Sequence, residues 1–372
     1  MIKYKFFVLL IAALGISACN EVDFEEYFAE LDNTRNYPEL FSAQTNYVTD
    51  LCLIYNGRPS GIKYTKEIMR PYVYYTDKQG NPNFLFDGFL MLEIVGPDGR
   101  PIYTQPDNTN TTLWNWYLDK QFQEGIAISA INQVLDSLAK QNVVPERKRK
   151  IVMGIPVPYQ SNMAFGLIGG KEMKLNTVEN RAAATKWFID ETLRRWDEKN
   201  YQHLELAGFY YNEEHARDKG DSIIPITAQY IKSKSKTFYW IPYFGGQGAK
   251  DWKKLGFDVA YQQPNYFFTK STAAGMPATR INDATHFASK YGMALEFEFD
   301  DNITDTLYQR KFNEYYNGFV KEKVFDSAPI AYYEGGGAWY RMCTNPNAKV
   351  NDLYHKLAEM IISRQKKADL LN

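Results

Sequence analysis

The sequence predicts an α/β chain folded as a (β/α)8 barrel. Three observations lead there: eight short runs rich in apolar and aromatic residues, helical segments between them, and no glycine-rich phosphate-binding turn after the first run, where a doubly wound dinucleotide fold would place one. The 372 residues are 45% hydrophobic and 23% charged, too apolar for a disordered chain, and three cysteines make no disulfide framework. A balance of 43 basic and 44 acidic residues leaves no electrostatic footprint for a nucleic-acid partner.

The chain begins with an address rather than a fold. Lys3 and Lys5 precede the apolar run Phe6 to Ile16, which is too short to span a membrane as a folded helix and has the layout of an export signal. Gly15-Ile16-Ser17-Ala18-Cys19 resembles a bacterial lipobox, which implies lipidation of Cys19 and a membrane partner through that lipid. The domains expected are therefore a lipoprotein signal peptide over 1–18, a tether and lead-in over 19–45, and one barrel domain over 46–368. Glu21, Asp23, Glu25 and Glu26 just beyond the anchor resemble signals that send lipoproteins to the outer face of the outer membrane, although a solvated tether reads the same way. Cys52 and Cys343 are left as thiols that either pair across the fold or sit buried as small apolar side chains.

The strands are expected at Tyr47–Tyr55, Phe84–Ile94, Lys150–Val157, Leu204–Glu213, Thr237–Phe244, Phe257–Tyr266, Gly292–Phe299 and Pro329–Glu334. Helices are expected at Ala127–Lys140, Thr177–Lys199, Ile224–Ile231, Arg280–Lys290 and Asp305–Glu322, with Asn351–Gln365 closing the chain. The second of these is the clearest, because no Gly or Pro interrupts it. Gly96–Thr112 is expected as a loop.

In a barrel, chemistry collects at the carboxyl ends of the strands. The fourth strand ends in Tyr210-Tyr211-Asn212-Glu213-Glu214-His215, and period-two alternation turns Glu213 inward. A bulge would turn Glu214 inward instead, so Glu214 is the reserve. On the seventh strand Leu295, Phe297 and Phe299 form one face, leaving Glu296, Glu298 and Asp300 on the other. Ionised and unpaired, such carboxylates cost several kcal/mol to bury, and a barrel built only for stability would rarely carry them.

Paired carboxylates at a barrel mouth suit glycosidic bond cleavage, in which one is protonated to donate to the leaving oxygen and the other attacks the anomeric carbon or activates water. Glu213 is the expected acid/base and Glu298 the nucleophile, with Glu296 an alternative nucleophile or a group that tunes it. Tyr211, Asn212, Trp240, Tyr243, Gln263, Asn265, Tyr266, Tyr333, Glu334 and Trp339, with Asn56, Arg58 and Asp87 from the first two strands, are the expected carbohydrate-binding residues. Their rings and amides match the apolar faces and hydroxyls of a sugar. No H-E-x-x-H or G-x-S-x-G motif is present, and the chemistry expected needs no metal or cofactor.

The lipobox at Cys19, the strand Phe84-Leu85-Phe86-Asp87-Gly88-Phe89, the segment Gly208 to Glu214 and Tyr332-Tyr333-Glu334-Gly335-Gly336 together resemble a family of Bacteroidetes lipoproteins of unknown function. The resemblance implies a glycoside-hydrolase-like TIM barrel and an envelope address. Asn212-Glu213 is similar to the Asn-Glu pair closing the fourth strand in a large clan of retaining glycoside hydrolases, whose nucleophile is a Glu ending the seventh strand. Glu298 matches that place, and retention is favoured. A non-catalytic glycan-binding or scaffold lipoprotein on the same fold is the alternative.

Overall fold

The computed structural model describes residues 35–77, 79–100, 102, 110–160, 162–216, 223–268 and 279–372. Cys19 and the acidic stretch after it lie outside these residues.

Eight parallel strands close on themselves: β1 (Asp50–Tyr55), β2 (Gly88–Leu92), β3 (Arg149–Ile155), β4 (Leu204–Tyr211), β5 (Thr237–Trp240), β6 (Val259–Gln262), β7 (Ala294–Glu298) and β8 (Ile330–Tyr333). β1 pairs with β2 on one side and β8 on the other, so no edge remains. Every strand expected from the sequence is present, and each is shorter than its apolar run. Asn46 and Tyr47 both have positive φ, which turns the chain until Asp50. Pro156, Pro242 and Pro264 follow the ends of β3, β5 and β6, where a missing N–H stops the ladder. Phe84 belongs to a separate hairpin, Pro82–Phe84 against Tyr74–Thr76.

The expected helices are found as α3 (Ile128–Ala139), α4 (Val178–Lys199), α5 (Ile223–Ser233), α6 (Arg280–Tyr291), α7 (Thr306–Lys321) and α8 (Ala348–Leu371), after α1 (Lys66–Val73) and α2 (Thr111–Gln121), which the sequence pattern hid. Pro71 inside α1 reads as a breaker. α2 begins inside the expected loop, where the Asn110 side chain accepts from the Leu113 amide. Thr177 caps α4 in the same way, accepting from the amide of Asn180.

Leu51, Leu53, Leu90, Leu92, Val152, Tyr210, Tyr239, Val259, Tyr261, Ala294 and Ala331 fill the barrel interior. β4 carries an irregularity in this wall. Ile151 faces Leu206 but Val152 faces Gly208, so Ala207 is an extra residue, a β-bulge. Gly208 is required beside it, because a Cβ there would lie 1.9 Å from the Thr237 carbonyl oxygen. Cys52 and Cys343 are both free thiols, the first buried and the second half-buried.

Charged groups knot the amino-terminal end of the barrel. The Arg364 guanidinium on α8 donates to Asp50 at 2.7 Å and to the carbonyls of Thr49, Phe325 and Ala328. Gln365 and Tyr332 also donate to Asp50. Asp87 accepts the amides of Thr49 and Asp50 and the guanidinium of Arg147. Replacing Arg364 with Met leaves Asp50 buried without its cation and is expected to cost about 3–5 kcal/mol. Urea denaturation checks this, with Asp50→Asn in the same background recovering part of the loss.

Candidate active site

The bulge at Ala207 decides which glutamate of the fourth strand faces the mouth. Past it, Gly208, Tyr210, Asn212 and Glu214 share the inner face, as the place of Tyr210 in the interior shows. Tyr211 and Glu213 are turned to the other face. Tyr211 packs on Phe238 and Phe257 in the helical shell, and its hydroxyl lies 3.4 Å from the Glu213 carboxylate. The inward side chain is therefore Glu214 and not Glu213, because one inserted residue inverts the alternation.

β7 keeps its register, so Ala294, Glu296 and Glu298 point inward and Phe297 packs outward on Phe312, Tyr315 and Phe319 of α7. Glu298 is buried and accepts from the amides of Asn265 and Tyr266, each at 3.1 Å, and from the Tyr315 hydroxyl. Asn265 adopts positive φ, which turns these two successive amides toward the carboxylate. Glu296 lies one layer deeper, also buried, and its Oε1 has no hydrogen-bond partner among the described residues. Asp300 is not part of the inner face: it caps the short helix Asp301–Thr304, accepting from the Asn302 amide.

These carboxyls sense one another. Burial raises the Glu296 carboxyl well above the usual range, and the charges of Glu298 and Glu214 add to the rise. Burial pushes Glu298 up to about 7, while the Tyr315 hydroxyl and the two amides favour its charged form. Glu214 accepts from Gln263 Nε2 at 3.0 Å. Its surface is open to water, yet the protein ringing it is dense enough that burial raises its pKa, the combination expected on a cleft floor. The open surface makes this a weaker desolvation than at Glu296.

Around the three, the carboxyl ends of the strands bring Tyr55, Arg58, Tyr333 and Phe268 together. The ring of Tyr333 stands edge-on to Tyr55 at 5.7 Å and to Phe268 at 5.3 Å. Arg58 lies over the Tyr55 ring and pairs with buried Glu93 at 2.9 Å. Tyr243 stacks obliquely on His215 at 5.5 Å. Asn212 reaches over the inner face of Gly154, where a Cβ would meet its Oδ1 at 2.6 Å, and that oxygen is buried with no hydrogen-bond partner among the described residues. Tyr55, Phe268 and Tyr315 were not singled out in the sequence. The first ends β1 on the inner face and was readable by alternation, whereas Tyr315 reaches Glu298 from a helix and leaves no local signal.

Several expected sugar contacts are structural instead. Trp240 is fully buried, stacked on Phe257 at 4.7 Å and donating to the Glu213 carbonyl. Trp339 is buried against Phe86, Phe299 and Tyr354, its indole N–H on the Pro71 carbonyl. Glu334 is fully buried and receives the hydroxyls of Tyr64 and Tyr72 and the amides of Gly337 and Trp339. Asn56 bolts β1 to the end of α2 through Lys120 and Gln121. Asp87 lies at the opposite end of the barrel. Tyr266 serves the site through its amide, its ring packing on Tyr315 and its hydroxyl donating to Glu314. Among the described residues, no group of three His, Cys, Asp or Glu side chains is placed to hold a metal ion.

A family described as a domain of unknown function, DUF4855, matches residues 50–359, the whole barrel from β1 into α8. The chain belongs to that family. No curated protein matches the DUF4855 chain. Among solved structures it is similar to the carboxyl transferase domain of Rhizobium etli pyruvate carboxylase, with 6% identity and a TM-score of 0.39, covering 88% of this chain and 49% of that one. The DUF4855 chain thus spans about half the length of that domain. It is also similar to TsXylA, an intracellular xylanase from Thermoanaerobacterium saccharolyticum, at 11% identity and TM-score 0.36 over 75% of this chain and 90% of that one. A third similar structure is the xylanase-alpha-amylase inhibitor protein XAIP-I with trehalose, at 8% identity and TM-score 0.33 over 82% and 98% of the two chains.

The raised pKa of Glu296 has a consequence for stability. A carboxyl whose folded pKa exceeds its unfolded value favours the folded state most when protonated, and that support is lost as pH rises from the unfolded pKa toward the folded one. Glu296→Gln is therefore expected to raise the thermal midpoint at pH 8 by at least about 2 °C. The gain should vanish at pH 4, where both chains carry a neutral group, and calorimetry across that range checks it.

Proposed function

We propose that this DUF4855 protein is a cell-envelope glycoside hydrolase acting on a polysaccharide or oligosaccharide, anchored to the outer membrane through lipid on Cys19. The observation that carries the reading is the meeting of Glu214, from the end of the fourth strand, with Glu296 and Glu298 of the seventh. Their environments supply the division of labour that glycosidic cleavage needs. Glu298 receives three donors, which favour a carboxylate, and acts as nucleophile. Glu214 stands at the open surface with a raised pKa and acts as acid and then base. Glu296, deepest and with an oxygen that accepts no bond from the described residues, stays protonated, so that Glu298 can ionise beside it.

Tyr55, Tyr333, Phe268 and Tyr243 offer ring faces and edges to the sugar, and Asn212, Gln263 and Arg58 offer hydrogen bonds. Glu214→Gln and Glu298→Gln are each expected to lower turnover of a glycan substrate by about 10²- to 10⁴-fold with the fold intact. Glu213→Gln should leave turnover within a few-fold. Equal loss in Glu213→Gln and Glu214→Gln would remove the role given to the bulge, and glycan binding without turnover in the wild-type chain would favour a binding lipoprotein. NMR of the first-formed anomer then reads retention, the outcome expected for a nucleophilic Glu298.

A further inference from the structure

The face of the barrel opposite the carboxylates has its own character. The described chain enters there at Arg35, which bonds His286 and Glu322 while the Asn36 amide bonds Ser289, all toward the carboxyl-terminal ends of α6 and α7. It then crosses beneath the barrel to β1, with Phe41 packed on Tyr47 and under the Arg147 guanidinium.

Large apolar side chains exposed to water concentrate on this face: Tyr47 is 45% exposed, Val144 60%, Val320 48%, Leu370 88% and Leu371 59%. Of the seven such side chains among the described residues, only Met163 and Leu167 lie elsewhere, beyond the carboxyl end of β3. Exposed lysines flank them: Lys148 near Val144, Lys321 and Lys323 beside Val320, and Lys367 before Leu370. Lysines at helix carboxyl ends are explained by the helix dipole, but that argument gives nothing to an exposed valine or leucine. Apolar side chains framed by lysines are the pattern of a surface that rests in a lipid headgroup layer. No described helix is long and apolar enough to cross a membrane.

We propose that the amino-terminal face of the barrel, through Val144, Val320, Leu370, Leu371 and their flanking lysines, docks on an anionic phospholipid surface and holds the carboxylate mouth pointing away from it. The proposal rests on the envelope address proposed above, and it adds an orientation that a lipid anchor alone would not impose.

The test uses the chain with Cys19→Ser and Cys343→Ser, Cys52 being buried, and a single nitrobenzoxadiazole probe at Leu371→Cys or Met163→Cys, mixed with vesicles with or without phosphatidylglycerol. With phosphatidylglycerol, the probe at 371 should shift to the blue and be quenched by spin-labelled lipid, while the probe at 163 stays in water. Each lysine near an anionic surface adds roughly fivefold to partitioning, so Lys321→Ser with Lys323→Ser should weaken the 371 signal by about 25-fold in lipid concentration. Entry of the 163 probe, or of neither, overturns the proposal. The mass of the mature amino terminus of the wild-type chain tests lipidation separately: an unacylated chain sinks the lipid anchor, and the contrast between the two probes still decides the face.

Discussion

Asp50 is the point through which the barrel is closed. It sits at the start of β1, fully buried, and a guanidinium, an amide and a phenol from two other elements converge on it. Arg364 and Gln365 bring the last helix to the first strand, Tyr332 brings the last strand, and Asp87 beside it fixes the start of the second. Burial raises the Asp50 pKa in spite of the arginine, so desolvation outweighs attraction there. The knot is best understood as a constraint on which ends meet rather than as a net source of stability. Everything at the carboxyl end depends on that closure, since Glu298 on β7 and Glu214 after β4 face each other only across a closed wall.

The carboxylate cluster is a second concentration of cost. Three acids on inner faces would repel if all were ionised, and the fold answers differently at each. Glu298 is given amides and a phenol, Glu214 is given water and a glutamine, and Glu296 is given almost nothing. A site that separates its protons in this way is prepared before any ligand arrives, and the cost is carried by the packed tyrosine interior below it.

The fold was legible because each strand is a short apolar run and several of the helices between them start at a side-chain cap that local chemistry fixes. Thr177 at the head of α4 and the prolines after β3, β5 and β6 are such signals. The strand-seven carboxylates were legible for the same reason, since β7 alternates without interruption. What was hidden depends on contacts between distant segments. The buried roles of Trp240, Trp339 and Glu334 are set by Phe257, Pro71 and Tyr64, none of which is a neighbour in sequence. A glutamate at a strand end reads the same whether it faces a cleft or receives four donors in the shell.

The bulge in β4 is different in kind, because no residue type announces it. Ala207 is an ordinary strand residue, and only the pairing with β3 reveals that it is extra. In this chain the identity of the mouth-facing acid is therefore a matter of counting across the bulge. Were Ala207 paired like its neighbours, strict alternation would carry Glu213 to the mouth; because the extra residue is absorbed at the bulge, Glu214 arrives there instead. Loss of Ala207 would let Leu206 and Gly208 alternate directly and leave Glu214 at the mouth, whereas loss of a residue between Gly208 and Asn212 would turn Glu213 inward in its place.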